Sequence, residues 1–199
     1  MATTLFLVRH AAHELVGRVL CGRMPGVALG PAGRGQAAAL AQRLAAEGLS
    51  AIYTSPVTRA VETAEAISAA TGLGAMTAEA LEEIDFGSWT GLDFQQLEMD
   101  PQWHRWNNRR GVERPPGGES MQEVQRRMLT WMECLPEKHP DAALAAVSHA
   151  DTIKAALAGL LAMPLDSHWR FEISPAAIST VVLWPGGARV SCINAPLVA

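Results

Sequence analysis

The feature that most constrains this chain is a set of short apolar runs that do not alternate with polar residues. Leu5–Val8 is one such run and Ala142–Val147 is another. A strand with one wet face alternates, so an unbroken run of this length is the pattern of a strand buried on both faces. Between the runs the period changes to that of helices. "GPAGRGQAAALAQRLAAEG" reads as an alanine-rich helix closed by Gly48. Ala51–Tyr53 is a second strand. The helix after it takes Ser55 as its cap and Pro56 as its first residue, buries Val57, Ala60, Val61, Ala64 and Ile67, and stops at Gly72. Ala75–Thr77 is a short extended piece.

Ser120 and Glu123 have the spacing of a capping box. They open a helix whose expected stripe is Met121, Val124, Met128, Trp131 and Leu135. The run at Ala142–Val147 leads into a helix over Thr152–Leu161. Three further strands are expected at Trp169–Ile173, Ile178–Leu183 and Arg189–Ile193, with Pro185-Gly186-Gly187 as a hairpin turn. Strands buried on both faces and alternating with helices demand a helical layer on each side. The expected architecture is α/β, a three-layer α/β/α sandwich with a mainly parallel sheet and an antiparallel edge strand. No linker or repeat interrupts it, so residues 1–199 are expected to form a single domain, with an insert or lid at about 92–118.

Composition narrows the function classes. The net charge of −4 offers no global attraction to nucleic acid or anionic lipid, so an anion site has to be a local concentration of arginine. The segment "WHRWNNRR" interleaves tryptophan with cations, yet over so short a run a packed surface helix outweighs a stacking platform for nucleic acid. No apolar run has the length of a signal peptide or a membrane span, and Cys21, Cys134 and Cys192 form no paired pattern, so they read as reduced, buried thiols. The expectation is a cytoplasmic protein with no membrane or nucleic-acid partner.

In parallel sheets ligands gather at the carboxyl ends of the strands. The first strand ends at Arg9 and His10, the second is followed by Arg59, and the run at Ala142–Val147 ends near His149. Glu82 and Glu83 stand just before an aromatic–glycine turn. Each residue alone reads as an ordinary rim or structural side chain; together at one sheet edge they make a site. Two arginines suit the oxygens of a phosphoryl group, and adjacent cations keep a histidine neutral and nucleophilic. A carboxyl group there can protonate a leaving oxygen. That set fits phosphoryl transfer through a phosphohistidine. His10 and His13 also form an HxxH pair, but no third or fourth ligand accompanies them and no metal is expected.

"LVRHAAHE" resembles the Arg-His-Gly signature of the histidine phosphatases, the phosphoglycerate mutase-like superfamily. "IYTSPVTRAVETAEAI" is similar to the segment that carries its second arginine, "LEEIDFGSWTG" to its acid-bearing segment, "PPGGESMQEVQRRM" to its late helix and "AVSHAD" to its second-histidine segment. The resemblance implies that His10 is the phosphorylated nucleophile and that Arg9 and Arg59 bind the phosphoryl oxygens. It implies that His149 stabilises the transferring group and that Glu83, rather than Glu82, is the proton donor. No cofactor is implied. The family pattern continues with glycine, an acidic residue, Thr or Ser, and then Asn; here Ala11, Ala12, His13 and Val16 stand in those places, and Ala150 replaces a common glycine. His13 is thus a candidate replacement contact to substrate, and Arg109, beside Arg105 and Arg110, a candidate contact to a second anionic group. With the insert limited to about 92–118, the expected activity is hydrolysis of small-molecule phosphomonoesters. The alternatives are a cofactor-dependent phosphoglycerate mutase and a non-catalytic phospho-ligand binding protein on the same fold.

Overall fold

A computed structural model describes residues 2–197. In chain order the elements are β1 (Thr3–Arg9), α1 (Pro31–Ala45), β2 (Ala51–Thr54), α2 (Thr58–Thr71), β3 (Ala75–Thr77), α3 (Phe94–Leu97) and α4 (Pro101–Asn108). They continue with α5 (Met121–Glu133), α6 (Leu135–Lys138), β4 (Ala143–Ser148), α7 (Ala150–Leu160), β5 (Ile178–Trp184) and β6 (Gly187–Ala195). One sheet runs in the order β3-β2-β4-β1-β5-β6. β1 to β4 are mutually parallel, whereas β5 and β6 are antiparallel additions on the β1 side.

The unbroken apolar runs are explained by the two faces they serve. Phe6, Val8, Ala145 and Val147 meet Leu40, Leu44, Ala64 and Ile67 of α1 and α2. Leu5, Leu7, Leu144 and Ala146 meet Met128, Met132, Ile153 and Leu157 of α5 and α7. A third cluster closes one end of the molecule. There Trp89, Trp103 and Trp106 pack on Met121, Val124 and Ala158, with Trp103 and Trp106 ring centroids 5.3 Å apart. The interleaved tryptophans of "WHRWNNRR" are therefore core residues of α4.

Several local expectations are corrected. Trp169–Ile173 is not a strand: Leu165–Arg170 is a 3-10 turn, and both edges of β1 are already taken by β4 and β5. Ser55 and Pro56 precede α2 instead of capping it; Val57 is the cap residue, and the Ser55 hydroxyl is engaged with His149. In α5 the buried residue of the last turn is Met132, while Trp131 stands edge-on to Tyr53. The Ser120–Glu123 capping box forms with both of its hydrogen bonds. Of the cysteines only Cys21 is buried; Cys134 lies at the surface end of α5 and Cys192 on the outer strand β6.

Gly33 marks where α1 meets the loop after β1. A Cβ there would fall 1.8 Å from the Ala12 carbonyl oxygen, so the backbone itself would have to move. Gly33→Ala is expected to destabilise the protein by roughly 1–3 kcal/mol, the usual range for overpacking. Urea unfolding checks the stability. Because the displaced loop carries His10, turnover is expected to fall in the same variant.

Candidate active site

The parallel order β2-β4-β1 delivers three strand ends to one edge. His10 continues β1, its N–H donating to Ser148 O at 2.9 Å. The next residue is pinned as well, Ala11 N donating to Thr63 Oγ1 of α2 at 3.0 Å. Ala11 keeps a negative φ, so the methyl in place of glycine costs no backbone strain, and it is fully buried. Arg59 lies in the first turn of α2, and His149 joins β4 to α7.

Hydrogen bonds fix the tautomers. His10 Nδ1 lies 2.8 Å from Ala11 O, an acceptor only, so Nδ1 carries the proton. Nε2 is then the lone-pair nitrogen, and it accepts from Arg59 Nε at 3.1 Å. Arg59 Nη2 donates to Gly22 O at 2.6 Å and to His149 Nδ1 at 3.1 Å. His149 therefore carries its proton on Nε2, which donates to Ser55 Oγ at 2.8 Å. Burial, then Arg59, then neighbouring cations hold both His10 and His149 well below the ordinary histidine pKa. Both rings are neutral at pH 7.

Three buried polar atoms around this cluster have no partner among the described residues: Arg9 Nε, Arg59 Nη1 and His13 Nδ1. Arg9 is otherwise anchored through Nη1 to Ile173 O at 2.6 Å. Buried donors without partners are uncommon and call for a ligand, here an anion. All three side chains line one pocket of about 170 Å3, together with His10 and Glu83. His13 is neutral too, its pKa pushed down to about 4 by burial, with Arg59 and Arg9 adding to the effect. Its ring centroid is 5.5 Å from that of His10. Among the described residues no group of three or more His, Cys, Asp or Glu is arranged to hold a metal ion.

Glu83 lines the pocket, whereas Glu82 turns to Arg23, at 3.1 Å. Glu83 Oε1 accepts from Ile84 N at 3.0 Å and lies 3.1 Å from Thr152 Oγ1, whose proton is shared with Glu82 O at 2.7 Å. Burial raises the pKa of this carboxyl, and the like charge of Asp151 raises it further. Oε1 accepts from a backbone N–H, and Oε2, with no hydrogen bond among the described residues, is the oxygen left to carry a proton. The backbone of the segment is clamped from outside: Arg23 Nε donates to Glu83 O at 2.7 Å and Arg127 Nη2 to Glu82 O at 2.9 Å. Glu119 holds both arginines, at 2.9 Å each.

Of the residues expected at the site, one stands directly behind the pocket within the same cluster and one lies away from it. His149 is fully buried and does not line the pocket; it lies behind His10, at 5.1 Å between ring centroids, and holds Arg59. Arg109 is 63% exposed and paired with Glu113 at 3.7 Å, away from the pocket. Its neighbour Arg110 points inward to Asp151 instead. Asp151, Thr152, Ser55 and Arg127 join the site without standing out as site residues in the sequence. The available signal was a carboxylate and a hydroxyl in the two positions after Ala150, in the first turn of the helix that His149 opens.

The neutral buried histidines give stability a pH dependence. An unfolded histidine binds a proton below pH 6.5 and the folded one refuses it, so this stability is present above pH 6.5 and lost as pH falls below it. Between pH 7.5 and 5.5 one such group accounts for about 1.4 kcal/mol. His149→Gln is expected to flatten the loss of stability over that range by about this amount. Urea unfolding of both proteins at the two pH values measures it.

The model of the histidine phosphatase superfamily (branch 1) matches residues 5–196. Phosphoserine phosphatase 1 of Hydrogenobacter thermophilus is 34% identical over 186 residues, which is 89% of this chain and 85% of that protein. The solved structure of a mycobacterial glucosyl-3-phosphoglycerate phosphatase superposes with a TM-score of 0.88 at 26% identity, over 98% of this chain and 100% of that one. The phosphoserine phosphatase of Entamoeba histolytica, in complex with 3-phosphoglyceric acid, gives 0.85 at 27% identity and covers 98% of each chain. This chain belongs to the histidine phosphatase superfamily. Its enzyme class is phosphoric monoester hydrolase of the histidine phosphatase type.

Proposed function

We propose that this protein hydrolyses small-molecule phosphomonoesters through a phosphohistidine on His10. The observation that carries the reading is an unprotonated His10 Nε2 beside two buried arginine nitrogens that have no partner among the described residues. A phosphoryl group in the pocket takes donors from Arg9 Nε and Arg59 Nη1, and Arg59 Nε leaves the His10 lone pair for the same oxygens. Nε2 then attacks phosphorus in line, the P–O ester bond breaks, and Glu83 gives its proton to the departing alkoxide. Glu83, now a carboxylate, takes a proton from water as that water attacks the phosphohistidine. Phosphate leaves and both groups are restored. Arg9 and Arg59 supply the electrostatic stabilisation on which phosphoryl transfer depends. His149 acts through Arg59, keeping its guanidinium in place, and His13 Nδ1 is a further contact to substrate oxygens.

The phosphatases among its relatives support hydrolysis over mutase activity and over mere binding of a phosphorylated ligand. The test is a panel of phosphomonoesters assayed without added metal: p-nitrophenyl phosphate, phosphoserine, and the 2- and 3-phosphoglycerates, with isomerisation followed beside phosphate release. Phosphate release in excess of isomerisation is expected. Isomerisation in excess identifies a mutase, and tight phosphate binding with no turnover identifies a binding protein.

A further inference from the structure

The pocket beyond the phosphoryl cradle has a different character. Its wall includes Val16, Leu20, Phe86 and Phe94, and one carboxylate that the scheme above leaves unused, that of Asp151. The only arginines or lysines in the lining are Arg9 and Arg59, both serving the phosphoryl group. Asp151 is in the first turn of α7, where the helix N-terminus favours a negative charge. Its Oδ1 accepts from Arg110 Nη1, while Oδ2 makes no hydrogen bond among the described residues.

Arg110 bonds Asp151 directly, with its Nε left without a partner among the described residues, and Lys154 and His168 stand nearby. Arg110 is almost fully buried, donates through Nη2 to Asn107 Oδ1 at 2.9 Å, and stacks 3.8 Å over the Trp106 ring. Lys154, one turn along α7, pairs with Glu172 at 3.4 Å. His168 is neutral, its pKa pushed down to about 4 by burial, with Arg110 next among the causes. Asp151 is thus an ionised side chain on the pocket wall, 19% exposed, with one carboxylate oxygen unclaimed among the described residues.

Resting on the phosphatase reading, we propose that Asp151 is a specificity-determining residue that selects phosphomonoesters of amino alcohols over those of hydroxy acids. An ammonium group two or three carbons from the ester oxygen gains a charge-assisted contact to Asp151 Oδ2. A carboxylate in the same place meets the like charge of Asp151, which is repulsive selection against phosphorylated hydroxy acids.

The experiment compares kcat/KM for three primary esters of similar size: O-phosphoethanolamine, n-propyl phosphate and 2-phosphoglycolate. O-Phosphoethanolamine is expected to exceed the nearly isosteric n-propyl phosphate by about tenfold, and 2-phosphoglycolate to fall below both. Asp151→Asn, which keeps the oxygen that accepts from Arg110, is expected to bring the first ratio close to one. A wild-type ratio near or below one overturns the proposal, and so does a folded Asn variant that keeps the wild-type ratio. The wild-type ratio decides the matter even where the variant does not fold. Failure of all three esters and of p-nitrophenyl phosphate to turn over is a different result: it overturns the phosphatase reading, and this proposal with it.

Discussion

Alanine in place of His10 is expected to lower phosphomonoester turnover by about 10^4-fold or more, because no other group in the pocket can take over the attack. The nucleophile is a lone pair with a fixed direction. Ala11 O holds the Nδ1 proton and so leaves Nε2 free, and the backbone N–H groups of His10 and Ala11 are tied to Ser148 O and Thr63 Oγ1. His149 cannot substitute: one nitrogen accepts from Arg59 and the other donates to Ser55. His13 lies on the pocket wall, yet nothing fixes its tautomer, since Nδ1 has no partner. The cradle atoms Arg9 Nε and Arg59 Nη1 remain in the variant, so inorganic phosphate is expected to keep binding while turnover is lost. Labelled substrate is expected to mark the wild-type protein in alkaline denaturant, where phosphohistidine survives, and to leave the variant unmarked. Undiminished turnover in the variant would sink the phosphohistidine mechanism.

What the sequence made legible follows from how each residue is held. Arg9, His10 and Arg59 were readable because strand ends in a parallel sheet converge by topology, and the apolar runs that set the topology are local patterns. Glu83 was separable from Glu82 only by resemblance, since adjacent residues share every local property. Their difference is tertiary: Arg23 draws Glu82 outward and Thr152 receives Glu83. Arg109 and Arg110 show the same limit in reverse. A run of arginines reads as one surface, but the Trp106 ring and Asp151 take Arg110 inward and leave Arg109 at the rim. Trp169–Ile173 has strand composition, yet its first residues belong to the 3-10 turn Leu165–Arg170 and the Ile173 carbonyl is taken by Arg9. Ser55 carries a helix-cap signature whose hydroxyl is instead drawn to a histidine nearly a hundred positions away. In each case the deciding contact is long-range, and a local pattern has no access to it.

Glu83→Gln separates the two proton transfers that one carboxyl is asked to perform. Glutamine keeps an oxygen that can accept from Ile84 N and Thr152 Oγ1, so the segment clamped by Arg23 and Arg127 is expected to stay in place. It cannot give up an acid proton. For an alkyl ester such as n-propyl phosphate, whose alkoxide leaves only when protonated, turnover is expected to drop by about 10^2- to 10^4-fold. For p-nitrophenyl phosphate the phenolate leaves unaided, so attack by His10 proceeds and the damage moves to the second half of the cycle. The water that cleaves the phosphohistidine now lacks its base. Rapid mixing is expected to show a burst close to one equivalent of p-nitrophenolate per protein, followed by slow turnover, with phosphohistidine accumulating. In the wild type, burial and Asp151 keep the Glu83 carboxyl protonated above the usual carboxylate range. Attack on alkyl esters is then expected to weaken as pH rises through that raised value, and the Gln variant to lose this limb of the profile. A uniform slowing of both esters without a burst would remove Glu83 from the acid–base role and leave it a wall of the pocket.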